Sequence, residues 1–222
     1  DNHFVLMGMR ASRIPEGEGL PEALEGSGLG LLRDPSVLVL KRGGEMVSIT
    51  PEIRAFLERP RALIVTKASA RSRVLSSAYL DYVGAKLFSP SGKLWGELTM
   101  VGLFTPSAYT SSVATTPYLR LKVDNVVKQA GFDPASFAGR TLVETLEAYP
   151  RDELFQIDQE TLGKFAVELM RLREHPRIRA LARIDRFNRF VSVLVFRPKE
   201  RDNVDTEARI GAFLAKTYEG RV

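Results

Sequence analysis

Apolar residues follow different periods in the two halves of this sequence, and this change limits the folds that the chain can adopt. In the first half, short apolar runs alternate with stretches rich in Gly and Pro, which is typical of β-strands joined by turns. Strands are predicted over 3–14, 36–41, 62–68, 79–88 and 93–105. A short helix is predicted after Thr50, which can cap it, with Pro51 in its first turn. The first half is therefore predicted to be a mostly antiparallel sheet of the α+β class.

The second half shows helical spacing instead. Helices are predicted over 119–130, 136–149 and 161–172. Gly131 and Pro150 end the first two, and Asp158 can cap the third. These helices are predicted to form a small bundle or a connector.

The last part of the sequence predicts a β-hairpin followed by a helix. Strands over 178–184 and 190–196 flank a turn in which Asn188 suits a left-handed conformation, and a helix follows over 206–218. A lone hairpin is marginally stable in water. Two strands and one helix are about half of a βαββαβ unit, so we expect the missing strands to lie beyond Val222 in a longer chain.

The composition excludes several kinds of chemistry. No Cys occurs among the 222 residues, which rules out disulfides, Cys-ligated zinc and a thiol nucleophile. No apolar run approaches the roughly 20 residues of a membrane span, and no secretory signal is visible, so we expect no membrane partner and a cytoplasmic location. The excess of 32 basic over 27 acidic residues is too small to indicate nucleic acid. The start at Asp1, without Met, suggests a piece of a longer protein.

Three motifs that often carry chemistry are incomplete here. The glycine-rich stretch 26–30 lacks the preceding strand, the spacing and the following helix of a dinucleotide fingerprint. His3 and His175 have no second ligand at metal-binding spacing. Asp152 and Glu153 are consecutive, so on a helix they point roughly 100° apart, which favours capping or docking over acid–base catalysis. We therefore predict no catalytic, cofactor-binding or metal-binding residue.

A basic stretch at the end of the strand predicted over 62–68 is the first candidate site. It contains Lys67, Arg71 and Arg73, interleaved with three hydroxyl side chains. Arginine forks bind carboxylates or phosphates through two points, and hydroxyls add further donors. The stretch is therefore a candidate for binding an anionic effector or the carboxylates of a neighbouring domain. A solvated basic loop is the alternative.

A second basic group surrounds the predicted hairpin turn. Arg183, Arg186 and Arg189 occur there together with Phe187 and Phe190. Arginine combined with aromatic residues is found in nucleic-acid sites and in protein interfaces. We favour a protein interface.

Several stretches of the sequence resemble one protein family. They are PYLRLKV at 117–123, AGFDP at 130–134, TLEAYPRDELFQ at 145–156 and FVSVLVF at 190–196, and in the first half GSGLG at 26–30, TK at 66–67, YLDYVG at 79–84 and GLFT at 102–105. Together these stretches resemble the large bacterial NAD-dependent glutamate dehydrogenases over nearly the whole chain. The stretch YPRDELFQ is the most specific of them.

The resemblance implies a parent enzyme that oxidises L-glutamate to 2-oxoglutarate and ammonia with NAD. The matching stretches belong to the N-terminal regulatory half of that family, which carries ACT-like and PAS-like modules and helical connectors. The family's catalytic lysines and nucleotide-binding loop have no counterpart in this sequence. The chain is therefore expected to be non-catalytic and to contain no cofactor, with NAD bound elsewhere in the parent.

The resemblance and the patterns together predict three parts. These are an antiparallel-sheet PAS/ACT-like sensory domain over 1–112, a helical connector over 113–175 and a truncated ACT-like ββα unit over 176–222. The expected partners are the rest of the parent chain, further copies in a homo-oligomer and a small amino-acid effector that tunes activity. A purely structural scaffold for subunit assembly is the alternative.

Overall fold

Ten strands and seven helices make up the chain in the computed structural model, which describes residues 3–72, 78–198 and 204–221. The strands are β1 (Phe4–Arg13), β2 (Glu22–Ala23), β3 (Leu29–Gly30), β4 (Lys41–Arg42), β5 (Glu45–Met46), β6 (Leu63–Arg71), β7 (Tyr79–Phe88), β8 (Leu94–Phe104), β9 (Arg179–Ile184) and β10 (Val191–Phe196). The helices are α1 (Pro51–Leu57), α2 (Pro106–Thr110), α3 (Leu119–Ala130), α4 (Phe137–Glu147), α5 (Arg151–Gln156), α6 (Gln159–Glu174) and α7 (Val204–Thr217). The α+β class predicted from the sequence is confirmed.

The main sheet is antiparallel throughout, with the strand order β2-β1-β8-β7-β6 and with β3 also paired to β1. Its four long strands confirm the strands predicted at 3–14, 62–68, 79–88 and 93–105. The alternation in β1 is only approximate because a register shift between Leu6 and Gly8 interrupts the pairing with β8. In the β1–β8 pair, Arg10 on β1 lies opposite Thr99 on β8.

The strand predicted over 36–41 is wrong. Only Lys41–Arg42 pair, with Glu45–Met46, in a two-residue hairpin. Gly43 and Gly44 lie between them at φ 61° and 94°, a turn conformation that favours glycine. The apolar residues before the hairpin contribute side chains to the core instead, and Val39 is buried. A short apolar run fits a strand and a core-packed loop equally well, so its composition alone does not decide between them.

One face of the sheet buries the principal core. Helix α1 packs Ile53 and Leu57 into it, and the hydroxyl of Thr50 accepts a hydrogen bond from the Ile53 N–H at 3.4 Å, as the predicted cap requires. Other core members are Ile14, Leu32, Val39, Val47, Ile49, Ile64, Leu80, Val101 and Phe187. Burial of these apolar side chains is the main force that holds the segment before β6 against the sheet.

The helical predictions agree with the structure at both ends of the helices. Ser136 caps α4 by accepting from the Gly139 N–H at 3.0 Å, and Asp158 caps α6 by accepting from the Thr161 N–H at 3.0 Å. Gly131 follows α3 with φ 71°, the left-handed conformation of a helix C-cap. The short helices α2 and α5 were not predicted, because five or six residues are too few to show a period.

The contacts divide the chain into two units. The first contains Asp1–Leu121, Pro150–Gln156 and Arg186–Arg189, and the second contains the remaining residues. Within the second unit, β9 and β10 form an antiparallel pair. Asn188 has φ 54°, which confirms its predicted left-handed conformation. The domain boundaries near 112 and 175 stay a prediction. None of the helices in the described ranges has the length and apolar character needed to cross a membrane.

Candidate functional site

A cavity of about 70 Å³ lies within the first unit, on the core face of the sheet. We call it the Arg10 cavity. Its polar lining residues are Arg10, Ser12, Tyr82, Glu97 and Thr99. Apolar side chains supply the rest of the wall, among them Val39, Val47, Ile49, Leu57 and Phe187. The cavity therefore combines an apolar wall with charged groups that come from neighbouring strands.

Arg10 is the basic group of the cavity and is 9% exposed. Its two terminal nitrogens donate to the backbone oxygens of Asp34, Pro35 and Val37 at 3.4, 3.3 and 3.1 Å. Its Nε–H is buried and has no hydrogen-bond partner among the residues that the structure describes. Burial lowers the pKa of the Arg10 guanidinium, although the charge of Asp34 opposes this. An arginine nevertheless stays protonated, so the cavity contains a buried positive charge.

Glu97 is the acidic group and is 6% exposed. Its Oε1 atom accepts hydrogen bonds from the Tyr82 hydroxyl and from the Thr99 hydroxyl, the latter at 3.1 Å. Burial raises the pKa of Glu97, while these two bonds and the charge of Lys86 oppose the shift. Both bonds converge on Oε1. No donor to Oε2 is found in the described part of the chain, so this oxygen can accept from a ligand.

The strand register explains why Arg10 and Glu97 share this cavity. Arg10 pairs with Thr99 and Ser12 pairs with Glu97, so the two charged residues are diagonal neighbours on one face of the β1–β8 pair. Such neighbours have Cα atoms roughly 7–8 Å apart. No direct hydrogen bond or ion pair joins their side chains among the described contacts. The arrangement therefore presents one positive and one negative group to the same small volume.

Lys67, predicted as an effector or interface residue, lies inside the first unit and is paired there. Its Nζ lies 2.7 Å from Asp81 Oδ1 and 2.8 Å from Asp152 Oδ1. Burial alone would lower the pKa of Lys67, but these carboxylates outweigh it and raise the pKa above its usual value. Asp152 also accepts from the Tyr109 hydroxyl at 2.8 Å, and Asp81 accepts from the Phe104 N–H at 2.9 Å. We call this group the Lys67 network.

The other residues of the predicted basic stretch are placed differently. Arg71 is exposed, donates to the Tyr79 hydroxyl at 3.2 Å and lies 4.5 Å above that ring. Arg73 lies outside the described residues. Neither Lys67 nor Arg71 lines the Arg10 cavity. Their role in binding an effector or an interface stays a prediction.

The hairpin arginines also have partners. Arg189 donates to the backbone oxygen of Lys67 at 2.6 Å and to the Thr66 hydroxyl at 2.9 Å. Arg186 lies 5.4 Å from the centre of the Phe56 ring. Arg183, on β9, is buried. The interface role predicted for these three residues stays a prediction.

The stretch YPRDELFQ forms α5 and the two residues before it. Arg151 donates to the backbone oxygens of Tyr109 and Ser111 at 3.3 and 3.0 Å. The ring of Phe155 stacks on Phe104 with 4.0 Å between centroids. Together with the ion pair of Asp152, these contacts agree with docking as the role of this stretch.

Sequence reasoning missed Arg10, Tyr82, Glu97 and Thr99. One signal was available: Arg10 and Glu97 are ionisable residues inside strands whose neighbours are mainly apolar. A charge at a core-facing strand position is unusual unless it is paired or functional. The described residues contain no cluster of three or more His, Asp or Glu that could hold a metal ion.

Comparison with known proteins adds two family matches. Residues 116–175 match the family model described as glutamate dehydrogenase, helical motif 1, and residues 179–222 match glutamate dehydrogenase, ACT2 domain. The chain is 35% identical over 224 residues to the NAD-specific glutamate dehydrogenase of Pseudomonas aeruginosa, covering 99% of this chain and 14% of that protein.

Two further relatives carry the same name. The protein from Halomonas elongata is 37% identical over 155 residues, covering 70% of this chain and 10% of the relative. The protein from Mycobacterium tuberculosis is 25% identical over 220 residues, covering 99% of this chain and 12% of the relative. The chain thus spans about a seventh or less of the length of these relatives.

The fold and these matches define first a class: an α+β chain in which a sheet is followed by a helical motif and an ACT-type unit. More particularly, the chain belongs to the family of the large bacterial NAD-dependent glutamate dehydrogenases and corresponds to their N-terminal region. The resemblance seen in the sequence is confirmed.

Proposed function

We propose that this chain is a non-catalytic regulatory part of an NAD-dependent glutamate dehydrogenase. The parent would oxidise L-glutamate to 2-oxoglutarate and ammonia in the cytoplasm, with NAD bound by another part of the protein. The chain would tune that activity by binding a small amino-acid effector. The names of the relatives support the parent reaction, and the Arg10 cavity supports the effector.

The observation that carries this proposal is the pair of opposite charges in one small cavity. A buried charge costs free energy unless a partner compensates it. Arg10 keeps an N–H without a partner, and Glu97 presents a carboxylate to the same space. A ligand that carries both a carboxylate and an ammonium group compensates both residues at once. This combination of groups is the defining feature of an amino acid.

Regulation requires that the effector bind two states of the enzyme with different affinities. The segment 34–37 is the element whose position can differ between these two states. Arg10 holds three of its backbone oxygens, so a ligand that pulls on the guanidinium also acts on this segment. The bound and free cavities would therefore favour different positions of the segment.

The test uses the full-length parent enzyme. NADH formation from glutamate is measured with and without each of the common amino acids. We expect one or more small amino acids to change the rate, and the Glu97→Gln enzyme to lose that response while the Glu22→Gln enzyme keeps it, because Glu22 is exposed on β2. The proposal fails if no amino acid changes the rate of the unmodified enzyme. NADH formation by the 222-residue chain alone would also contradict it.

A second candidate function is subunit assembly in a homo-oligomer. The second unit exposes large apolar side chains, with Ile178, Ile184 and Phe213 being 57%, 63% and 68% exposed. Exposed apolar residues mark an interaction site where they form one contiguous patch. We expect the parent to dissociate to smaller species on Phe213→Glu substitution, measured by light scattering. A chain and a parent that stay monomeric at high concentration would argue against assembly.

A further inference from the structure

The Arg10 cavity restricts its ligand more narrowly than the proposed function requires. Three features decide this restriction: the charge of Arg10, which no ion pair balances among the described residues, the free oxygen of Glu97, and the apolar wall of the cavity. All of the residues concerned lie within the first unit. The cavity is also separate from the Lys67 network, none of whose members lines it.

The first feature selects an anion. The terminal nitrogens of Arg10 donate to backbone oxygens, and its Nε–H is buried without a partner among the described residues. The structure gives Arg10 no ion pair within the described ranges, although the carboxylate of Asp34 is close enough to influence its pKa. A carboxylate in the cavity would neutralise the guanidinium, which a neutral ligand does not.

The second feature selects a cation next to that anion. Glu97 Oε1 already accepts from Tyr82 and Thr99, so Oε2 is the available acceptor. Lys86 on β7 lies opposite Glu97 on β8 in the strand register. Its Nζ, however, donates to the backbone oxygens of Phe56 and Arg59 and not to Glu97. An ammonium group of the ligand would therefore be the partner that Oε2 lacks.

The third feature is the apolar wall of this small cavity. Its volume is about 70 Å³. A charged side chain on the ligand would face apolar residues such as Val47, Ile49 and Leu57 without a partner. Glutamate, the expected substrate of the parent, is excluded for this reason.

We infer that the Arg10 cavity binds a small neutral α-amino acid, such as glycine, L-alanine or L-serine, as a zwitterion. The α-carboxylate lies against the guanidinium of Arg10, and the α-ammonium donates to Glu97. The short side chain lies against the apolar wall. This assignment rests on the proposed function and specifies its ligand class, and it separates the regulatory ligand from the substrate of the parent.

The first test varies the ligand and leaves the protein unchanged. The 222-residue chain is titrated in a calorimeter with glycine, L-alanine and L-serine, and then with propionate, ethylamine and L-glutamate. We expect at least one of the three amino acids to bind at millimolar concentration. Propionate and ethylamine each lack one charged group, so they should bind about a hundredfold more weakly, because a buried polar partner is left unpaired. Propionate binding as tightly as L-alanine would overturn the inference, as would no binding by any of the three.

The second test varies the protein. Glu97→Gln keeps the shape of the side chain and removes its charge, so it should weaken L-alanine binding by at least about tenfold. Glu22→Gln, on the exposed strand β2, is the matched control and should bind as the unmodified chain does. Equal binding by both variants would overturn the inference. If the Glu97 variant does not fold, the ligand series still decides.

The two proposals can fail separately. If an amino acid changes the rate of the full-length enzyme equally with and without Glu97→Gln, the regulatory function stands and the Arg10 cavity is not its site. If the chain binds L-alanine as described but the full-length rate does not change, the site stands and the regulatory function fails.

Discussion

Replacing Lys67 with Met tests how the first unit tolerates a charge in its interior. Lys67 is the cation between Asp81 and Asp152, and the side chain of Asp81 is only 4% exposed. Without Lys67, Asp81 keeps one hydrogen bond from the Phe104 N–H and no described cation at contact distance. Removing one member of a buried ion pair costs about 3–5 kcal/mol, because the remaining charge is left uncompensated. At roughly 2–4 °C per kcal/mol, Tm should fall by about 6–20 °C.

The assay is denaturant and thermal unfolding followed by the fluorescence of Trp95. It is the single Trp of the sequence and lies on β8 in the same unit. Lys164→Met is the matched control: its Nζ lies 2.8 Å from Glu160, but both side chains are exposed, so Tm should stay unchanged. Adding Asp81→Asn to Lys67→Met should restore most of the loss. A loss below about 1 kcal/mol for Lys67→Met would refute the reasoning, since exposed pairs also reach that value.

Three further predictions concern stability. Gly102→Ala should lower the free energy of unfolding by about 1–3 kcal/mol, because a Cβ there would overlap the backbone oxygen of Val5. Gly17→Ala is the control, since its Cβ meets open space and Tm should stay unchanged. Equal Tm values for the two variants would contradict this prediction. Ser136→Ala removes the cap of α4 and should cost about 1 kcal/mol in denaturant unfolding; an unchanged midpoint would show that the cap is dispensable. Burial lowers the pKa of Lys86 from 10.5 to about 8, so the unfolded chain binds more protons between these values and unfolding free energy should rise with pH there. The rise should be on the order of 1–2 kcal/mol after a discount for solvent screening, and Lys86→Met should abolish it; parallel pH curves for the two proteins would contradict the assignment.

The regular elements of the fold were predictable because their signals are local. Alternating and helical periods depend on residues a few positions apart, and caps depend on one side chain and the next turn. Thr50, Ser136 and Asp158 were each found at the start of a helix, where hydroxyl and carboxylate caps are expected. The run 36–41 failed because the same apolar composition also suits a loop packed into the core.

The Arg10 cavity was not predictable because it depends on strand register. The shift between Leu6 and Gly8 in β1 interrupts the alternation that would have marked Arg10 as core-facing. Nothing local places Arg10 beside Glu97, since that neighbourhood arises only when β1 pairs with β8. The partners of Lys67 were not predictable for the same reason. The sequence shows Lys67 only as part of a basic stretch, whereas its partner Asp152 comes from a distant helix.

The first unit is assembled from three separate segments of the chain, and this has a consequence for its synthesis. Phe187, in the last segment, contacts the rings of Phe56 and Tyr82 with centroids 6.2 and 6.3 Å away. Once the ribosome has added Phe104, all strands of the sheet have been made, but Phe187 is still missing from the core. Translation at roughly 5–20 residues per second needs on the order of several seconds more to reach Phe187. During that interval the nascent sheet exposes apolar surface. We therefore expect chaperones to bind nascent chains that end between 104 and 186, and to release them once 186–189 has emerged.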